Sequence, residues 1–395
     1  MLRDGKNGGS AFLPFALPEI GEEEINEVVA TLKSNWLTTG PKTSQFERQF
    51  AQYLDVPFAL AVNSGTAGLH LSLEAAGICP GDRVITTIYT FTATAEVIRY
   101  LGADPIFVDI DPRTFNLDPN QLEWKIEKCR QKSKIKAILP VHFGGQACDM
   151  QSILEIARHY GLKVIEDAAH ALPCVHQGRM IGTLGDATVF SFYATKTLAT
   201  GEGGMVATAS EAMAKRIKTM RLHGINRDIW DRYTSRRPNW YYEVIAPGFK
   251  YNMPDIIAAL GIHQLKKLER FQQRRESIAQ AYTEGLAHLP LHCPHVSVPA
   301  DKHAWHLYVI QLQLDSINST RDTVIEKMAE NGIGTSVHFI PLHLHPYWRD
   351  RYSFEPKDFP VALSCYQKAI SLPIYSKMTD EDVDRVIKAI SKILE

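Results

Sequence analysis

Three segments carry residue types whose spacing suits catalysis. In NSGTAGLHLSL (63–73) an Asn-Ser-Gly turn runs into an apolar helical pattern. The first amides of such a helix have no intrahelical partner, and with the hydroxyls of Ser64 and Thr66 they would form a cup for a phosphate. The same turn could be an ordinary Ser/Gly N-cap with nothing bound. In VIEDAAHA (164–171) Glu166 and Asp167 end an apolar run. If that run is a strand of a parallel sheet, they lie at its carboxyl edge, where ligands bind. Such an acid either caps the next helix or holds a buried cation. In VFSFYATKTLATGEGG (189–204) a single lysine, Lys196, follows a run that ends at Phe192. Its neighbours are apolar or hydroxyl-bearing (Ser191, Thr195, Thr197, Thr200), with no acid before Glu202. Most lysines lie on surfaces. One secluded in this way has a depressed pKa and can form a Schiff base.

A phosphate cup, a strand-end acid and a secluded lysine are together what pyridoxal phosphate requires. Its aldehyde needs the lysine, its ring nitrogen an acid and its phosphate an anchor. Asp167 is the acid placed to pair with the ring nitrogen. TIYTFTATAEV (87–97) offers Tyr89 and Phe91 as aromatic faces to stack on such a ring, although either could be core. The Gly-rich turn at 201–204 is not a P-loop, because no Gly-Lys-Ser/Thr follows. No Gly-x-Gly-x-x-Gly occurs, which excludes a nicotinamide-dependent oxidoreductase.

The elements that must position these residues are legible in the hydropathy pattern. Short apolar runs recur as DRVITT (82–87), DPIFVDI (104–110), KAILPVHF (136–143), KVIEDAA (163–169), ATVFSF (187–192) and GMVATA (204–209). Several are nearly continuous in apolar residues, as strands buried on both faces are. Helical stretches separate them, including Gln151–Tyr160 with Gly161 as C-cap. This alternation predicts an α/β fold with a doubly wound, mostly parallel sheet. Glu22–Lys33 carries Ile25, Val28, Val29 and Leu32 as an amphipathic stripe. From about residue 255 a long helix to Ala281 leads to HLYVIQLQL (306–314), whose alternation predicts a half-exposed antiparallel sheet. Helices at Arg321–Glu330, closed by Gly332, and after Thr379 follow. The expected division is a large domain over 1–254 and a smaller α+β domain over 255–395. The polar stretch 224–247 reads as a long functional loop.

Composition narrows the functional classes. The 395 residues are 45% hydrophobic and 22% charged, as in a soluble protein with a large core. Lys and Arg number 43 against 44 Asp and Glu, a balance that excludes a strongly basic nucleic-acid binder. KKLERFQQRR (266–275) is interspersed with apolar residues at helical spacing and reads as a solvated helix face. No window reaches the roughly 18 apolar residues of a membrane span. Met1–Ser10 lacks an apolar signal region, and the 6 cysteines form no C-x-x-C pair. A cytoplasmic, reducing compartment is therefore expected. His338, His343 and His345 have no carboxylate at ligand spacing, so no metal site is expected. His303 and His306 flank Trp305 at a strand start and read as structural or interfacial.

The sequence resembles the nucleotide-sugar aminotransferases, the DegT/StrS group of fold-type I pyridoxal phosphate enzymes. The resemblance runs from WLTTGP (36–41) to SLPIY (371–375). It rests on the Ser-Gly-Thr-Ala turn, EDAAH, FSF followed by Lys and GEGG, GFKYNMPDIIAALG (248–261) and GTSVHFIPLHLHPYW (334–348). Within the family, EDAAHA, KYN (250–252) and HAWHLYVI (303–310) are most similar to the transaminases that make UDP-4-amino-4-deoxy-L-arabinose. PLHLHPYW (341–348) instead follows the broader family pattern and would face the sugar.

The resemblance implies a homodimer with shared active sites that aminates a nucleotide-linked keto sugar with L-glutamate as donor. It implies that Lys196 bonds the cofactor and then shuttles a proton, and that Asp167 pairs with the ring nitrogen. His170 would lie beside the ring and Phe91 would stack on it. Gly65, Thr66, Ala67 and Ser191 would hold the phosphate, and Lys250 and Asn252 would reach across the dimer. Trp36 to Gly40 (Thr38 among them), Arg237 and His338 match positions near the nucleotide sugar. Some family members are sugar dehydratases with His in place of the lysine, so Lys196 favours transamination. A cofactor-binding regulator without turnover is the other alternative.

Overall fold

The computed structural model of the chain describes residues 11–226, 240–298 and 300–395. Through the first half of the chain the apolar runs are strands: β1 (Phe58–Val62), β2 (Arg83–Thr87), β3 (Asp104–Val108), β4 (Ile135–Leu139), β5 (Lys163–Asp167), β6 (Val175–His176), β7 (Arg179–Met180), β8 (Ala187–Ser191) and β9 (Gly204–Thr208). Strands β6 and β7 form a small separate hairpin. The other seven make one sheet in the order β1-β9-β8-β5-β4-β2-β3. The pairs β2–β3, β2–β4, β4–β5 and β5–β8 are parallel, and β9 runs antiparallel to both its neighbours. The sheet is thus mostly parallel, as the alternation of strands and helices predicts.

Side chains alternate across the pleat, so each strand feeds two apolar layers. Ile85, Ile138, Val164 and Phe190 pack with helices α2 (Pro41–Leu54), α5 (Pro119–Lys128) and α6 (Met150–Tyr160), named in chain order after α1 (Glu22–Lys33), α3 (Gly65–Ala75) and α4 (Ala93–Tyr100). Val84, Leu139, Ile165 and Val189 pack on the other face with α3, α4 and α7 (Glu211–Met220). Helix α6 ends as predicted, at Gly161 with φ +65°. That left-handed conformation favours glycine.

The long helix α8 (Asp255–Leu286) serves two cores. Its first half places Ala258, Ile262 and Leu265 in the core beneath the large sheet. Its second half places Ile278, Tyr282 and Leu286 in a second core, with β11 (Tyr308–Leu312) and β12 (Ala369–Leu372). These two strands and β10 (Leu291–His292) form the predicted antiparallel sheet. That sheet is not half exposed, however. Tyr308, Ile310 and Leu312 face the second core, while Leu307, Val309 and Ala369 pack against Phe359, Trp348 and Phe143. Both faces are covered, one by helices and the other by the cluster around Phe107, Phe143, Trp348 and Phe359. Helices α9 (Arg321–Glu330), α10 (Pro346–Tyr352), α11 (Pro360–Lys368) and α12 (Asp380–Leu394) complete the chain. The hydroxyl of Thr379 caps α12 by accepting from the Asp382 amide at 3.2 Å.

Two helix faces take their orientation only from the folded chain. The apolar stripe of α1 does not face the core of its own chain: Ile25, Val29 and Leu32 are 40–49% exposed. Its polar face packs on α8 instead, with Glu24 bonded to Lys267 and Gln264, and Glu27 to His263. The basic run at 266–275 is not wholly solvated either, since Gln272 and Arg275 are buried.

Candidate active site

The site forms where the carboxyl ends of β1, β5 and β8 meet. After β1 the chain turns at Ser64 and enters α3. The Ser64 hydroxyl accepts from the Ala67 amide at 3.1 Å and its carbonyl from Gly68. Ala67 is therefore spent on the cap, and the amides of Gly65 and Thr66 are the open ones facing the cavity. A side chain at Gly65 would put its Cβ 3.1 Å from the Cβ of Ser191. The glycine thus leaves a cradle between helix start and strand end. The Gly-rich turn serves the same approach, because a Cβ at Gly204 would lie 2.9 Å from the Gly65 nitrogen.

Strand β5 delivers the acids. The pleat sends Glu166 and Asp167 to opposite faces. Glu166 is fully buried, accepting from Gly185 N–H and the Thr188 hydroxyl at 2.7 Å and lying 2.9 Å from His142 Nε2. Asp167 turns into the cavity. Its Oδ2 accepts from Thr94 Oγ1 at 2.8 Å and its Oδ1 from the Ala169 amide at 3.1 Å. Burial pushes its carboxyl above the ordinary range, against the pull of those donors and of Lys196. A cation at its remaining lone pairs would offset that desolvation.

Lys196 follows β8 in a turn closed by its own amide on the Tyr193 carbonyl. Burial pulls its ammonium down to about 8, while Asp167 pulls the other way. Its Nζ lies 3.4 Å from His306 Nε2. His170 accepts from the Gly144 amide at Nδ1, 3.3 Å. Burial first, and then the charge of Lys196, hold His170 and His306 well below the usual imidazole range and bring His338 to about 4. The ring of His338 stacks on Phe15 at 5.4 Å.

These groups line one cavity of about 570 Å³. Of the predicted residues, Gly65, Thr66, Phe91, Asp167, His170, Ser191, Lys196 and His338 border it. Trp36, Thr38, Gly40, Lys250 and Asn252 do not border the cavity of their own chain. They gather elsewhere: Asn252 Nδ2 donates to Thr39 Oγ1 at 2.7 Å, and Trp36 Nε1 to the Thr39 carbonyl. Asp255 caps the same turn, accepting from the amides of Gly40 and Thr43. Arg237 lies outside the described residues. No residue of PLHLHPYW (341–348) borders the cavity of its own chain. Leu342 and Trp348 are buried in the core around Phe107 and Phe359, and the ring of His343 packs on Phe359.

Sequence reasoning missed Phe15, Thr94, Ser336 and Phe339, and it assigned His306 a structural place. All five border the cavity. Thr94 could have been found, since it lies seven residues beyond the end of β2 in a hydroxyl-rich turn. The others arrive from distant segments. Among the described residues no cluster of His, Cys, Asp or Glu could hold a metal ion, and no helix is long and apolar enough to cross a membrane.

The strand order, the lysine after β8 and the acid ending β5 are those of a fold-type I enzyme. The chain belongs to the DegT/DnrJ/EryC1/StrS aminotransferase family, whose profile matches residues 18–391. It is 50% identical over 386 residues to the spore coat polysaccharide biosynthesis protein SpsC of Bacillus subtilis, covering 97% of each chain. The Streptococcus pneumoniae protein Spr1654, solved in its PLP form, superposes with a TM-score of 0.87 at 32% identity, over 97% of this chain and 100% of the other. PseC of Helicobacter pylori, an aminotransferase involved in the biosynthesis of pseudoaminic acid, gives 0.88 at 27% identity, over 97% and 99%.

Proposed function

We propose that this pyridoxal phosphate aminotransferase aminates a nucleotide-linked keto sugar, most simply a 4-keto sugar, with L-glutamate as donor. The observation that carries the reading is the convergence of Lys196, Asp167 and the open amides of α3 on one cavity. The residues fit the cofactor: the cradle at Gly65 suits its phosphate, and Asp167 lacks the cation that a ring N–H would supply. When bound, the cofactor supplies an electrophilic aldehyde and a ring that delocalises the electron pair released at the substrate carbon. Asp167 would hold the proton on the ring nitrogen, and Gly65, Thr66 and Ser191 would anchor the phosphate. Lys196 Nζ would bind the aldehyde carbon. Displaced by the donor amine, it would take a proton from the donor's α-carbon and deliver it to the cofactor's methine carbon, and in the second half-reaction it would run the same transfer in reverse, from that methylene carbon to the carbon of the acceptor sugar.

The far wall of the cavity suits a sugar. Phe15 and Phe339 offer faces for the C–H side of a pyranose, while Ser336 and His338 offer hydrogen bonds. Lys196 is the only Lys or Arg among the described lining residues. The two sets of residues matched to the nucleotide sugar and to the partner site, 36–40 and 250–252, lie against each other outside that cavity. A second copy that presents this surface to the first would complete both sites, with Lys250 adding charge for the phosphate. The exposed apolar stripe of α1 offers such a dimer area to bury. The product would feed a surface polysaccharide or a glycosylated metabolite, in keeping with the resemblance to SpsC.

Titrating L-glutamate into the cofactor-loaded protein tests the reading. Loss of the visible absorption band with release of 2-oxoglutarate is expected, and a persistent band would overturn the donor assignment. Lys196→Ala should still bind the cofactor but show no turnover. Retained full activity in that variant would overturn the role of the lysine.

A further inference from the structure

Arg275 and His306 sit behind Lys196 in an arrangement that the cofactor chemistry above does not use. Arg275 is 4% exposed, and among the described residues no carboxylate pairs with it. Its Nη1 donates to the carbonyls of Trp305 at 3.0 Å, His306 at 3.4 Å and Ile374 at 2.9 Å. Burial lowers its pKa only to about 10, so it remains a cation at neutral pH. An unneutralised guanidinium in a core is costly and asks for a reason.

His306, whose carbonyl Arg275 holds, is 5% exposed. Its Nε2 faces Lys196 Nζ at 3.4 Å, its ring lies 4.4 Å from that of His170, and its buried Nδ1 has no partner among the described residues. An orphaned buried nitrogen costs about 1–3 kcal/mol and marks a place where something other than packing sets the residue. With one cation in front and another behind, the imidazole stays neutral and offers Lys196 a lone pair.

We propose that His306 is the positioning residue for Lys196: its Nε2 accepts from Nζ and keeps the free amine on the cavity wall, while Arg275 fixes the imidazole through the Trp305 and His306 carbonyls. The proposal rests on reading Lys196 as the amine that binds the cofactor and moves the proton. A freed lysine has four flexible methylenes and must stay beside the reacting carbon. A carboxylate at this place would hold it too, but would also keep it protonated, as Asp167 already tends to. A neutral acceptor holds Nζ while favouring the ammonium far less than a carboxylate would. The other titratable groups bordering this space are Asp167, His170, Tyr193, Glu202 and His338, and all of them stay in place in the variants below.

The test labels lysines of the full cofactor-free chain with an amine reagent across pH and quantifies the Lys196 peptide by mass spectrometry. Wild type should be half-labelled near pH 8. His306→Leu removes the acceptor that favours the ammonium, so its midpoint should fall by about one pH unit, the size of one charge-assisted hydrogen bond. His306→Gln, which keeps an acceptor, should stay near wild type. Should the leucine variant not fold, His306→Asn, whose amide ends short of Nζ, makes the same comparison. A leucine or asparagine variant labelled like wild type would overturn the proposal, as would a glutamine variant that behaves like them. In parallel, borohydride reduction of wild type loaded with pyridoxal phosphate should fix the cofactor on Lys196. Its attachment elsewhere would overturn the reading of the lysine itself, separately from the outcome at His306.

Discussion

Glu166 and Asp167 are adjacent carboxylates on one strand with different work, because the pleat turns one into the core and the other into the cavity. Asp167→Asn keeps the volume and the acceptor for Thr94 but cannot stabilise a protonated ring nitrogen. Turnover should fall at least about 100-fold, the scale of a lost electrostatic partner of the reacting group, with the urea midpoint nearly unchanged. Glu166→Ala leaves His142 and two donors unpaired in the core. It should cost about 3–5 kcal/mol of stability, read by urea unfolding, while the folded fraction keeps its turnover. Equal losses of turnover in the two variants would remove the ring-nitrogen role from Asp167. Both acids and the lysine were legible as chemistry in the sequence, because the acids end one nearly continuous apolar run and the lysine lies four residues beyond another. His306 was not: its partner lies 110 residues away, and only the folded chain brings the two together.

At the scale of elements, the cradle depends on how closely α3 approaches β8 and β9. Gly65→Ala would set a methyl group 3.1 Å from Ser191 Cβ. The fold should persist, and affinity for pyridoxal phosphate should fall about tenfold in a fluorescence titration; unchanged affinity would move the phosphate elsewhere. Strand and helix identities were legible along most of the chain, since buried parallel strands are almost continuously apolar and α6 and α12 carry their caps in sequence. The facing of α1 was not. Its apolar stripe predicts burial but not against what, and the ion pairs of Glu24 and Glu27 turn the opposite side onto α8. If a second copy covers the stripe, Ile25→Glu with Leu32→Glu should weaken dimerisation about 100-fold, at roughly 1.5 kcal/mol or more per lost apolar side chain. Sedimentation equilibrium reads the change, with circular dichroism unaltered. A dimer of wild-type affinity would exclude α1 from the interface.

For the molecule as a whole, the neutral imidazoles make stability depend on acid. His170, His306 and His338 all titrate in the fold below their usual value of 6.5 because of burial and the charge of Lys196, His338 at about 4 and the other two well below 6.5. As pH falls through 6.5 the unfolded chain takes up protons that the folded chain refuses, so stability declines from there toward pH 4. Glu24 and Glu27, held below the usual carboxylate range by Lys267 and Lys42, add to the loss at the acid end of that window. Asp167, raised by burial, opposes it as a single group. The urea midpoint of the cofactor-free chain should therefore drop steadily between pH 6.5 and 4. His338→Gln keeps a hydrogen bond to Ser371 but has no proton to refuse, and should flatten the slope by up to about 1.4 kcal/mol per pH unit. An identical slope in that variant would mean that His338 is protonated in the folded chain.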